Sequence, residues 1–165
     1  MGVFSEKGDG LMARIGHGVQ VGLSWVHERD GRVPSNAIDA GCGVYIGRMN
    51  QNGDLLPGKV VPRLNQAYCA FGGREHSHHS YEVLCDTAAH RTNKCWENAN
   101  NGHVPKNAIV AGLASDGSPL YVARAHINGE RVVGKIHGGH HCGYFPYGGE
   151  EHSLHSYEVL VWREF

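Results

Sequence analysis

Between residues 15 and 25 the chain alternates, with Ile15, Val19, Val21, Leu23 and Trp25, and His17 in phase, set against Gly16, Gly18, Gln20, Gly22 and Ser24. A period of two belongs to a β-strand with one buried face, so this stretch is expected to be extended. Its three glycines share the other face, which predicts a second backbone packed closely there. Residues 44–49 and 120–125 are shorter β-prone runs, followed by Asn52-Gly53 and Asn128-Gly129. Both residues of an Asn-Gly pair accept positive φ, and such pairs between apolar runs predict tight hairpins. Later in each half, His79, Tyr81 and Val83, and then His155, Tyr157, Val159 and Val161, alternate with Ser80, Glu82, Ser156 and Glu158. That phase places His79 and His155 in the core. No segment keeps apolar residues at helical spacing over three turns, and 24 glycines oppose a helix. The fold class expected is all-β.

The two halves repeat each other. Residues 25–38 align with 96–109 at an offset of 71 (Trp25 onto Trp96), and residues 45–84 align with 121–160 at an offset of 76 (Tyr45 onto Tyr121). The strongest match is Gly72-Gly73-x-Glu75-His76-Ser77-x-His79-Ser80-Tyr81-Glu82-Val83-Leu84 with Gly148-Gly149-x-Glu151-His152-Ser153-x-His155-Ser156-Tyr157-Glu158-Val159-Leu160. The change of offset falls after Gly41, where the second copy carries residues 113–119, and it reads as a longer surface loop. The chain divides into an N-terminal strand segment (1–24), a first repeat (25–84), a linker (85–95) and a second repeat (96–162). A β unit of about 60 residues buries too little surface to stand comfortably alone. Two intertwined, pseudo-symmetric repeats packed as one sandwich-like domain are therefore expected.

Charge changes this picture little. Fifteen Lys and Arg nearly balance sixteen Asp and Glu, which favours neither nucleic acid nor an anionic membrane as partner. No apolar run reaches the length of a membrane span, and residues 1–10 lack the order of a secretion signal, so the expected location is cytoplasmic. Five cysteines without a Cys-x-x-Cys pair read as free thiols, with Cys85 and Cys95 the pair placed to bridge under oxidising conditions.

The runs Val33-Pro-x-Asn-Ala-Ile-x-Ala-Gly, Tyr45-Ile-Gly-Arg, Gly53-Asp-Leu-Leu-Pro-Gly-Lys59, Gly72-Gly-x-Glu-His and Tyr81-Glu-Val-Leu84 closely resemble the DM-nine repeat, and the second copy matches it as well. The resemblance implies a mannose-binding lectin of intertwined β repeats, cytosolic and often a homodimer, that recognises mannose-type glycans on microbes. It also implies a sugar site in which the lysine closing Gly-x-x-x-x-Gly-Lys acts with an acidic residue of the loop after Ala-Gly. The lysines are Lys59 and Lys135. In the second copy Ala114 stands near the acidic position with Asp116 two residues on, and in the first copy the loop is cut to Cys42-Gly43. Asp39, Asp54 and Glu130 are the other acidic candidates. The shortened loop makes the first site the expected poorer one.

A carboxylate beside an ammonium suits a hexose, whose neighbouring hydroxyls both donate and accept. The bland alternative is that Lys59 and Lys135 are solvated turn lysines. The Gly-Lys spacing also suits a phosphate loop, but Val60 and Ile136 stand where that loop needs Ser or Thr. Glu75-His76 and Glu151-His152 are expected to satisfy backbone groups at a strand start, since no nucleophile motif accompanies them. No enzyme, cofactor or metal site is indicated. Two further classes remain: a divalent-metal binder using His76-His78-His79 or His137-His140-His141, and a structural interaction module.

Overall fold

Residues 11–15, 19–87 and 94–163 are described by a computed structural model of the chain. Fifteen strands form one continuous antiparallel sheet, with no α-helix among the described residues. A hairpin of β1 (Leu11–Ile15) and β2 (Val19–Arg29) leads in. The first repeat continues with β3 (Asp39–Gly41), β4 (Val44–Gln51), β5 (Asp54–Val61), β6 (Gln66–Phe71), β7 (Arg74–His78) and β8 (Ser80–Asp86). The second runs β9 (Lys94–Asn100), β10 (Ile109–Leu113), β11 (Pro119–Ile127), β12 (Glu130–His137), β13 (Gly143–Tyr147), β14 (Glu150–Leu154) and β15 (Ser156–Trp162).

The alternation read over residues 15–25 is divided between the two strands of the leading hairpin, because Ile15 pairs with Val19 and Leu11 with Trp25. A reversal that returns Ile15 opposite Val19 preserves the period of two, so the pattern alone does not separate a hairpin from one long strand. Gly16, His17 and Gly18, which carried part of that reading, lie outside the described residues, as do residues 1–10. The Asn-Gly pairs do turn hairpins. Asn52 and Gly53 have φ of 51° and 86°, and Asn128 and Gly129 have 50° and 79°, the geometry of a type I′ turn.

His79 and His155 are exposed, not buried as the alternation suggested. Each stands at the corner between β7 and β8 or between β14 and β15, where the chain leaves one strand pairing for another and the period of two restarts. The tyrosines that follow are buried and carry the repeat motif's logic. Tyr81 donates to the Arg32 carbonyl at 2.8 Å, and Tyr157 to the His103 carbonyl at 2.9 Å. Each pins the segment that enters Val-Pro-x-Asn-Ala-Ile against the last strand of its repeat.

The repeats interlock through their short Ala-Gly strands. Strand β10 of the second repeat lies between β1 and β5 of the first half, pairing Ile109 with Ile15 and Leu113 with Leu55. Its carbonyl at Ala111 accepts from Arg48 Nη1 at 3.2 Å, while the Ala40 carbonyl of β3 accepts from Arg124 Nη1 at 2.8 Å. Arg48 is held by Glu82 and lies over Trp25, and Arg124 is held by Glu158 and lies over Trp96. A shared core joins Leu23 and Trp25 to Ile38 and Ile46 of the first repeat and to Ile109, Val122 and Leu160 of the second. A smaller core lies in each half, around Leu56, Val60 and Tyr81 in one and Ile136, Phe145 and Tyr157 in the other.

All five cysteines are free thiols; Cys85 lies in β8 opposite Ser24 and Cys95 in β9 opposite Val161. Burial pushes the thiols of Cys69 and Cys85 up to about 12, whereas Cys42 is exposed. Alkylation of the native protein at pH 8, followed by mass spectrometry, is expected to modify Cys42 first and to spare Cys69 and Cys85 until denaturant is added. The two arginine clasps differ in burial: Glu82 is 1% exposed, while the Glu158 side chain is 26% exposed and also receives Arg131. Arg48→Met strands a buried carboxylate and is expected to cost about 3–5 kcal/mol in urea denaturation. Arg124→Met is expected to cost clearly less, and equal losses would contradict this account of the clasps.

Candidate functional site

Lys59 and Lys135 occupy equivalent places for a steric reason visible in the residue before each. A Cβ at Gly58 would stand 2.1 Å from the Tyr68 carbonyl oxygen, and one at Gly134 would stand 2.1 Å from that of Tyr144. Only glycine lets β5 approach β6, and β12 approach β13, this closely. The approach sets Lys59 directly opposite Tyr68 and Lys135 directly opposite Tyr144. Gly72-Gly73 and Gly148-Gly149, all at positive φ, then reverse the chain and bring Glu75 and Glu151 to the same faces.

Each ammonium meets that glutamate. Lys59 Nζ lies 2.9 Å from Glu75 Oε2, and Lys135 Nζ lies 3.5 Å from Glu151 Oε2, with the lysine side chains 12% exposed in both cases. Two rings flank each lysine, one from each repeat. Lys59 Nζ is 5.4 Å from the ring centres of Tyr68 and Tyr147; Lys135 Nζ is 5.6 Å from Tyr144 and 5.5 Å from Phe71. Such cation–π contacts contribute about 0.5–2 kcal/mol each. The other carboxylate oxygen crosses between the repeats: Glu75 Oε1 accepts from Gly149 N at 3.0 Å, and Glu151 Oε1 accepts from Gly73 N at 3.1 Å. The backbone mirrors the exchange, with Glu75 N donating to the Gly149 carbonyl and Glu151 N to the Gly73 carbonyl. Both sites are therefore built from the two repeats together.

The two are not identical. Lys59 opens onto a cavity of about 200 Å³ walled by Tyr68, Glu75 and Tyr147, with Arg63, Glu130 and Arg131 also lining it. Burial, and then the Glu75 carboxylate, raise the Tyr68 phenol above its ordinary value, so it is a neutral hydroxyl at neutral pH. Lys135 Nζ donates in addition to the Ala70 carbonyl at 2.8 Å. Beside it, Tyr144 O–H and His140 Nδ1 stand 2.7 Å apart, and the His140 and His137 rings stack at 4.3 Å. Burial, then His137, Lys135 and His141, lower His140 below its ordinary value, while Asp116 acts the other way.

Of the acidic residues singled out in the sequence, Glu130 is brought to a lysine, but to Lys59 of the other repeat, on whose cavity wall it is held by Arg63 at 3.5 Å. Asp116 lies on the Lys135 side of the molecule, where it acts on His140; its carboxylate accepts from Ser118 N at 2.9 Å, and that bond chiefly holds it below its ordinary value. Asp39 accepts from Gly41 N, and Asp54 from Ser115 N across the repeats. Five residues of strand separate Asp54 from Lys59 and Glu130 from Lys135, and about 16 Å of extended chain is beyond side-chain reach. The lysines' counterions are instead Glu75 and Glu151. One oxygen of each performs the backbone role expected from the sequence, and the other meets the lysine. Their signal was available: they recur at the same offset of 76 as the lysines. His76 and His152 are structural, each donating from Nε2 to a backbone carbonyl at 3.0 Å, of Phe71 and Tyr147 respectively. Among the described residues, no three His, Cys, Asp or Glu side chains converge as a metal-binding set, and no helix is long and apolar enough to cross a membrane.

Comparison with known proteins bears on this arrangement. Natterin-4 of Thalassophryne nattereri is 28% identical over 141 residues, covering 84% of this chain and 33% of that protein. Among solved structures, the nematode sperm cell motility protein MFP2B matches with a TM-score of 0.62 at 19% identity, over 88% of this chain and 48% of that one. The chain thus spans under half of either relative, and at that identity the structural likeness speaks for the fold alone. The family model for the DM9 repeat matches residues 39–154, a span that contains both lysines, both glutamates and all four flanking rings. The chain belongs to the DM9 repeat family.

Proposed function

We propose that the chain is a carbohydrate-binding protein, a lectin for mannose-type glycans, with two related sites centred on Lys59 and Lys135. The observation that carries this reading is the composite site itself: an ammonium and a carboxylate side by side between aromatic rings, opening at Lys59 onto a cavity. A pyranose presents neighbouring hydroxyls to such a charge pair and its C–H face to such a ring. Buried lysine–glutamate pairs are often no more stabilising than apolar residues of the same volume. No enzymatic step is part of the proposal. A homodimer of this chain would present four sites, and the cytoplasm is the location proposed.

The geometry ranks the sites differently from loop length. Lys59 lines a cavity together with Tyr68 and Tyr147, whereas Lys135 Nζ is also committed to the Ala70 carbonyl. Lys59→Met is thus expected to remove more mannose binding than Lys135→Met. Free mannose, at an affinity near millimolar, corresponds to only about 4 kcal/mol, and engagement of two sites raises apparent affinity by roughly 10² to 10⁴. Either single variant should therefore impair agglutination of mannan-coated beads more than it impairs calorimetric binding of the monosaccharide. Thermal melts would confirm that each variant is folded. A folded double variant that binds mannose and agglutinates as wild type does would overturn the lysine-centred sites. In the same titrations, heat with zinc and none with sugars would point to the histidine-based alternative. Silence with both would point to the interaction module.

A further inference from the structure

A second depression, of about 560 Å³, is lined by β9, β15, β11 and β12 and shares Arg131 with the Lys59 cavity. That volume is within the range of about 300–1,000 Å³ typical of small-ligand sites. Ala99, Ala125 and Tyr157 border it through their backbone, their side chains turned to the core on the opposite face of the sheet. Strand register builds its walls: Asn98 stands opposite Glu158, which stands opposite Arg124, while Asn100 is opposite Ser156 and His126 opposite Arg131.

The hydrogen-bonding capacity left over here is large. Arg124 is committed, with Nε and Nη2 on Glu158 and Nη1 on the Ala40 carbonyl. Arg131 gives only Nη1, at 3.3 Å to Glu158, and keeps the rest of its guanidinium edge. Two guanidinium groups against one carboxylate leave a local excess of one positive charge. The side chains of Asn98, Asn100, His126 and Ser156 make no hydrogen bond to another described residue.

The first repeat does not reproduce this face. At the equivalent positions His27, Arg29, Asn50 and Leu55 replace Asn98, Asn100, His126 and Arg131. There His27 is within 3.3 Å of the Ser80 hydroxyl, and Leu55 is paired by Leu113 of β10. The difference traces to the loop length change between the repeats. β10 reaches as far as Leu113 and pairs with Leu55, while β3 ends at Gly41, over which the stem of Arg131 lies: a Cβ there would be 2.9 Å from its Cγ.

We propose that this depression is a second binding site, present in the second repeat only, for an acidic sugar: a hexuronic or sialic acid residue. The sugar carboxylate takes the free edge of the Arg131 guanidinium, whose planar fork suits two parallel hydrogen bonds. Its ring hydroxyls meet the Asn98 and Asn100 amides, which each donate and accept. Apart from Arg131, no residue of this site lines the Lys59 cavity, so the proposal can fail while the mannose reading stands.

The test titrates the full chain with methyl β-D-glucuronide, methyl β-D-glucoside, N-acetylneuraminic acid and methyl α-D-mannoside, followed by ligand-observed NMR. The glucuronide or the neuraminic acid is expected to bind about tenfold more tightly than the neutral glucoside, the factor one charge-assisted hydrogen bond supplies. Whichever acid binds identifies the source of the carboxylate. Asn98→Ala/Asn100→Ala is expected to weaken the acid at least tenfold and to leave the mannoside unchanged. Asn100→Asp, which sets a carboxylate against the ligand's own, is expected to do the same. Binding of both acids no tighter than the glucoside, or unchanged acid binding in either folded variant, overturns the proposal.

Discussion

The carboxylates of Glu75 and Glu151 are each divided between two tasks, and the rest of the molecule is arranged around that division. One oxygen faces the lysine of its own repeat, and the other accepts an amide of the opposite repeat's glycine turn. A carboxylate that is nearly buried requires compensation on both oxygens, since desolvation costs several kcal/mol per ion. Neither repeat supplies both partners alone. Each glutamate has both oxygens compensated only where the two halves meet at the Gly-Gly turns, and the rings that enclose each lysine come from both halves. The packing of the two halves and the geometry of both sites depend on the same contacts.

The same rule of exchange operates at the other end of each repeat. Arg48 and Arg124 each hold a glutamate of their own half and reach the carbonyl of the other half's Ala-Gly strand. Pseudo-symmetry fixes these pairs, but the loop after Ala-Gly departs from it. In the first copy Cys42 and Gly43 turn the chain at φ of 55° and 73°; in the second, residues 114–118 make a wider turn anchored to Asp54. The longer strand ahead of that turn pairs with β5 at Leu55, whereas the shorter β3 ends at Gly41 against the stem of Arg131. A small change in loop length thus gives the two halves of one duplicated scaffold different surfaces.

Much of the fold was legible in the sequence, because the features that specify it are local. Asn52-Gly53 and Asn128-Gly129 announce their own hairpins through positive φ, and the Tyr-Glu-Val-Leu tails read correctly as strands, although Glu82 is buried against Arg48 where the alternation turned it to solvent. The misreadings occur where a period of two is blind. It did not register the reversal between Ile15 and Val19, and it carried His79 and His155 inward across corners at which the phase restarts. At the site, the repeat identified both lysines, while their acidic partners were sought close in sequence, at Asp54 and Glu130. Strand geometry places those at the far end of the same strand. Glu75 and Glu151 reach the lysines through two further strands, and Tyr147 and Phe71 reach them from the other repeat. Only the three-dimensional register reveals such partners.

A crystal structure of the chain with methyl α-D-mannoside tests the composite site most directly. The account predicts the pyranose in the cavity at Lys59, with hydroxyls on the Lys59 ammonium and the Glu75 carboxylate and its ring against Tyr68 or Tyr147. A mannoside bound elsewhere, with that cavity empty and the Lys59–Glu75 pair undisturbed at saturating sugar, would contradict it.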